Sequence, residues 1–277
     1  MGPGQDPPGD LDGAPPRRRV AHGLRWLVGL AGLLLSSGVP ADEGTLRLEV
    51  DLTQLYVWRG LDLLDGHGAL QPSATWDSGS GWYAGAWGSL SLDRGAGCHE
   101  ITGEVCQDWD ELDLYAGVNG TVGAEQRWRA EWDLGFTYFA FPQQPRSADT
   151  VELGLKVRHP RLFGEDGPVP RWALYYDRGA QEPGEEGVWL IPGLDFSVPV
   201  AGRPLDVSVE VGYKDGASGL WSYSGFAYAT LGLSTAFRAG DWALTPRVHL
   251  QQNLAGDPPG IHPFSGIWFD VALSHGR

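Results

Sequence analysis

Apolar and polar residues alternate along much of this chain. In residues 46–59, Leu46, Leu48, Val50, Leu52, Tyr56 and Trp58 fall on one side, interrupted by Gln54. Arg47, Glu49, Asp51, Thr53 and Arg59 fall on the other, with Leu55 and Val57 as exceptions. A strand turns successive side chains to opposite faces, so this run predicts a strand with one apolar and one charged face. Tyr56 and Trp58 come near its end, where a strand leaving a bilayer meets the headgroups.

Eleven further runs follow, at residues 70–77, 82–92, 111–119, 127–141, 150–158, 171–177, 188–198, 205–214, 223–237, 242–252 and 266–274. The run at 223–237 is blurred by small residues. Connectors 78–81, 201–204 and 238–241 are tight, whereas 61–68, 93–108, 178–187, 215–222 and 253–263 are longer. Short turns at one end and longer loops at the other mark a bacterial membrane barrel, and an even strand count returns both termini to one side. Residues 159–170 break this asymmetry. A soluble sandwich must pair its apolar faces. Here every run has one, and the opposite faces hold full charges, as in the succession Arg127, Arg129, Glu131 and Asp133. Lipid leaves no backbone group unpaired, which calls for closure. The expected fold is all-β: a single antiparallel up-and-down transmembrane β-barrel of about 12 strands.

Composition adjusts this picture at the N-terminus. The chain has 277 residues, with 41 Gly, 13 Trp and 20% charged residues. After residue 41 there is no apolar stretch long enough for a membrane helix. Residues 1–41 read as a signal peptide with an unusual extension at 1–16, rich in Pro, Gly and Asp. Arg17, Arg18 and Arg19 precede an apolar core, Leu24 to Leu35, interrupted by Arg25. A small-residue tail then suits cleavage after Ala41. Met1 is the only methionine, so a start further along, near Val20, is a hypothesis that N-terminal sequencing of the precursor tests. The barrel is expected over 42–277, with 16 basic and 32 acidic residues. That balance argues against nucleic acid as a partner.

The candidate functional surface is the lumen. The charged faces place there Arg47, Glu49, Asp51, Asp77, Glu111, Asp113, Arg127, Arg129, Glu131, Asp133, Glu152, Lys156, Arg158, Asp195, Asp206, Glu210, Arg247 and His249, together with Arg171 and Asp270. Mixed charge suits small hydrophilic solutes, and the acidic excess a mild cation preference. The same charges are also able to pair across strands and fill the barrel.

Cys98 and Cys106 are the only cysteines. In an exported chain such a pair reads as a disulfide closing a small loop. With His99 and Glu100 they make an incomplete metal set, so no metal or cofactor is expected. An outer-membrane lipid-modifying enzyme is a second class. Against it, there is no G-x-S-x-G or His-Glu-x-x-His motif, and His249 is the one His within a clear strand, so catalysis is not expected. A third class is a structural or surface-binding barrel acting through loops such as 93–108. The expected partners are outer-membrane lipid, the assembly machinery of that membrane and small solutes.

Residues 50–60 (VDLTQLYVWRG), 69–72 (ALQP), 81–89 (GWYAGAWGS), 111–117 (ELDLYAG) and 136–142 (FTYFAFP) resemble the porins called the TorF family. That group is also described as conserved bacterial outer-membrane proteins of unknown function. The resemblance implies an outer-membrane barrel and no defined substrate. One departure is the end, Ser274-His275-Gly276-Arg277, where such barrels commonly close on an aromatic residue.

Overall fold

The computed structural model describes residues 44–92, 109–144, 148–179, 186–216, 223–256 and 263–276. The signal peptide expected over residues 1–41 and the disulfide expected between Cys98 and Cys106 lie outside them. The strands are β1 (Thr45–Thr53), β2 (Val57–Trp58), β3 (Leu61–Asp62), β4 (Ala69–Asp77), β5 (Trp82–Ser91), β6 (Glu111–Val122), β7 (Ala130–Ala140) and β8 (Thr150–Arg158). They continue with β9 (Val169–Gly179), β10 (Glu186–Val200), β11 (Arg203–Gly216), β12 (Tyr223–Ser234), β13 (Phe237–Ala239), β14 (Trp242–Asn253) and β15 (Gly266–His275). No helix occurs among the described residues.

Twelve of these strands form a closed antiparallel barrel, and short β13 extends it along β14. Neighbours in sequence are neighbours in the sheet, except that the hairpin β2–β3 stands apart. The ring closes where β1 meets β15, with Leu48 opposite His275 and Thr53 opposite Asp270. The run at 223–237 divides into β12 and β13, because both pair with different parts of β14.

The alternation is visible in the exposure of each side chain. On β6, Leu112 and Leu114 are exposed while Glu111 and Asp113 are buried. On β9, Trp172, Leu174 and Tyr176 are exposed and Ala173 and Asp177 are buried. On β15, Ile267, Phe269, Val271 and Leu273 all face out. The outer wall is thus a continuous apolar belt, far larger than the apolar patches a water-soluble surface carries, and hydrocarbon is the medium that covers it. Exposed Trp76, Trp82, Trp172 and Trp242 lie towards the end that carries the termini, as an aromatic girdle would.

The first run departs from its expectation. β1 stops at Thr53 instead of running on to Arg59. Tyr56 and Trp58 do not reach the lipid boundary; the chain turns into the barrel, and both rings pack inside it. The cause is composition. The segment 54–64 carries Leu55, Tyr56, Val57, Trp58, Leu61, Leu63 and Leu64, too much apolar surface to leave in water, and the lumen is a place to bury it.

Candidate functional site

The inward connector makes a small hairpin. Trp58 pairs with Leu61, and Arg59-Gly60 is its two-residue turn. Both turn residues have positive φ, 45° for Arg59 and 92° for Gly60. Turns of this type suit a hairpin's twist, but an arginine adopts that backbone reluctantly. Gly60 is also closely approached: a Cβ there would lie 3.0 Å from the Tyr228 side chain, and at Gly212 it would lie 2.1 Å from the same ring. The backbone of the connector is satisfied locally. Leu63 N–H donates to Tyr56 O at 2.9 Å, and the Asp62 carboxylate accepts from Leu64 N–H and Gly66 N–H. Phe264 N–H reaches across to Gly60 O at 2.8 Å.

Side chains fix the hairpin to most of the wall. Tyr56 OH donates to Glu111 Oε2 on β6 at 2.8 Å. Trp58 meets Phe139 of β7 and Trp189 of β10 edge-on. Arg59 Nη1 and Nη2 donate to the two Glu152 oxygens on β8 at 2.5 and 2.9 Å. The same guanidinium lies 4.1 Å from the Tyr175 ring centre, 4.5 Å from Trp58 and 5.5 Å from Trp189. Leu61 is packed among Ala173, Trp189, Ile191, Ala227 and Tyr228. Leu61 and Trp189 are each 1% exposed, so this level of the lumen is filled.

The half of the lumen towards the termini is different. There, charges pair across strands but stay wet. Arg171 of β9 bridges Asp195 of β10 at 3.0 Å and Glu210 of β11 at 2.8 Å, and Tyr228 OH also donates to Glu210. Arg129 and Arg158 share Glu131. Lys156 approaches Asp133, which accepts from Tyr83 OH at 3.0 Å. The Lys156 and Arg158 side chains remain 57% and 52% exposed. Arg247 of β14 reaches Asp270 of β15 at 3.2 Å and Asp51 of β1 at 3.1 Å, with Glu49 beyond at 3.6 Å. His249 contacts Asp270 at 2.7 Å and stacks on Trp268.

At the mouth on this side, a cavity of about 470 Å³ is lined by Arg158, Glu165, Asp166, Asp195, Asp206 and Ser208, among others. The long connector 159–168 forms one wall. It is tied to the neighbouring turn by Arg127 Nε donating to Leu162 O and Arg161 Nη1 to Ala124 O. This accounts for the connector's length: it packs on a second turn and does not simply reverse the chain.

Several sequence-derived positions need restating. Arg127 is not on a strand; β7 begins at Ala130, and Arg127 serves the turn contact instead. Arg129 also precedes β7, beside its partner Glu131. Asp77 caps the next turn, accepting from Gly79 N–H at 2.7 Å. Arg47 pairs with Glu49 on its own strand. Asp206 accepts a short bond from Ser197. Glu111, Asp113 and Glu152 lie beneath the hairpin, apart from the wet charges. At the rim, burial pushes the Asp110 carboxyl up to about 6, against the opposing effect of the Ser91 N–H that donates to it.

Arg59, Tyr175 and Trp189 were not among the residues assigned to the lumen from the sequence. The available signal was the lapse in alternation at Leu55 and Val57, followed by Arg-Gly and three leucines in an ostensible outer loop.

An apolar-belted, closed twelve-strand barrel with a charged inner wall is the architecture of outer-membrane β-barrels. Among solved structures, the NanC porin matches over 82% of this chain and 98% of its own, at 9% identity and a TM-score of 0.51. The KdgM porin matches over 83% and 98%, at 8% identity and a TM-score of 0.49. By sequence, residues 39–247 match the model of the Gcw_chp family, bacterial proteins of unknown function, and this chain belongs to that family. No curated protein matches it.

Proposed function

We propose that this chain is an outer-membrane channel for small hydrophilic solutes, with a mild cation preference, and that its first connector closes it in the conformation described. The observation that carries this reading is the wet charged wall of the terminal half. A barrel serving only as a structural element has no need for Lys156 and Arg158 to stand in water inside it. The shared fold with porins and the likeness of residues 50–142 to the TorF porins support the same reading, as does the apolar belt for a place in the outer membrane. The acidic excess of the inner wall supports the cation preference.

Solutes approaching from the terminal side meet paired charges, then the hairpin. Every contact holding the hairpin is non-covalent, and its tip makes one two-pronged ion pair. The test is single-channel recording in planar bilayers. Wild-type protein should give rare or small steps, and replacing residues 57–62 by a Gly-Ser linker should give frequent, larger ones. A folded linker variant that never conducts would retire the channel reading.

The filled half favours a second reading, a non-conducting barrel that acts through its outer loops. In that case the linker variant leaves the bilayer silent. An enzymatic role is the weakest: His249 faces the lumen and is engaged by Asp270 and Trp268, away from the outer wall where lipid would be presented.

A further inference from the structure

We propose that Glu152, Tyr175 and Trp189 form a receptor site for a solute bearing a guanidinium or alkylammonium group, and that Arg59 fills it here as a tethered stand-in. The proposal rests on the channel reading and names the chemistry of one solute class.

The three residues come from adjacent strands β8, β9 and β10, so the site belongs to the rigid wall and not to the connector. Glu152 offers both carboxylate oxygens, at 2.5 and 2.9 Å from the guanidinium nitrogens. Tyr175 and Trp189 offer ring faces at 4.1 and 5.5 Å. A carboxylate combined with aromatic faces, shut off from water, is how proteins recognise organic cations. The Glu152 side chain is 6% exposed, so withdrawing Arg59 leaves a buried carboxylate that a second cation is able to satisfy. Lys214 stands close by, its Nζ 5.2 Å from the Trp189 ring, but on β11, where it cannot follow the hairpin out.

The tether explains why the site is occupied, and the backbone explains why it is displaceable. A short linker presents its end group at an effective concentration on the order of millimolar. Arg59 holds its place from a left-handed backbone, φ 45°, which disfavours arginine and weakens it as a competitor. A free cation that takes its place releases the turn, and with it Trp58 and Leu61. Solute binding and opening are then one event.

The experiment uses the purified, folded full-length barrel and ethylguanidinium chloride as the probe, read by tryptophan fluorescence. Arg59→Ala should show a saturable change with its midpoint in the millimolar range. Wild type should respond only at severalfold higher concentration, because the tethered Arg59 competes, and Arg59→Ala combined with Glu152→Gln should lose the response at least tenfold. The proposal is overturned if folded Arg59→Ala responds no more than wild type, or if the double variant responds equally. Should Arg59→Ala fail to fold, Arg59→Lys keeps the charge but loses the fork. It should respond at lower concentration than wild type, and its failure to do so counts against the proposal. Conductance recorded on the same preparations separates the two readings. Binding without conductance overturns the channel and leaves the receptor site; conductance without binding does the reverse.

Discussion

The two halves of the lumen use similar residues differently. In the half beneath the first connector, Arg59 and Glu152 form their ion pair among aromatic rings and away from water. In the half towards the termini, Arg171, Arg158 and Lys156 also meet carboxylates, but in reach of water. An ion pair in water contributes little, because solvent screens it and the long side chains lose freedom. A pair out of water is costly to break on one side, since the survivor stays buried and charged. The first arrangement therefore holds a position; on the channel reading, the second tunes the field that a passing solute meets.

That contrast predicts a graded series of outcomes. The largest belongs to Glu152→Gln, which strands the Arg59 guanidinium. The barrel should lose about 3–5 kcal/mol of stability, seen as a lower temperature for loss of heat-resistant mobility in detergent gels, and channel steps should become frequent. Trp189→Ala should follow, at about 3 kcal/mol from lost packing, with the same gain in conductance. Equal stability of either variant and wild type would erase the distinction between the halves. In the wet half, Glu131→Gln with Asp133→Asn should cost less than about 1 kcal/mol. It should nevertheless shift the reversal potential in a salt gradient away from cations. The smallest effect concerns Asp110. Its folded carboxyl titrates near 6, above the ordinary 3.8. The unfolded chain thus ionises first as pH rises, and stability from this group declines between about pH 4 and 6 and is level above. Asp110→Asn should flatten that part of the stability profile.

Much of the architecture was legible because lipid imposes a strict rule on a strand. Residues 150–158 show it: each odd position is apolar or glycine-flanked and faces out, and Glu152, Lys156 and Arg158 follow the other face. The closing pair β1–β15 was implied by the even count. The hairpin was harder to read: Tyr56 and Trp58 keep the spacing of the apolar face, lipid and lumen both accept an aromatic ring, and the lapse at Leu55 and Val57 does not by itself tell one from the other. Trp189 was hidden for a related reason. It stands on the inner face of a run whose apolar outer residues, Leu190 to Val198, drew the assignment. Arg127 was misplaced because charge alternation continues into the turn that precedes β7.

The Arg247 cluster spans the seam where the ring closes, joining β14, β15 and β1 through Asp270 and Asp51. Those partners lie 196 residues apart in sequence for Arg247 and Asp51. Contacts of such separation form late, after the entropy of bringing distant segments together has been met. The cluster is thus a clasp on the finished cylinder. Weakening it should slow the last step of insertion more than it alters the structure of the completed barrel.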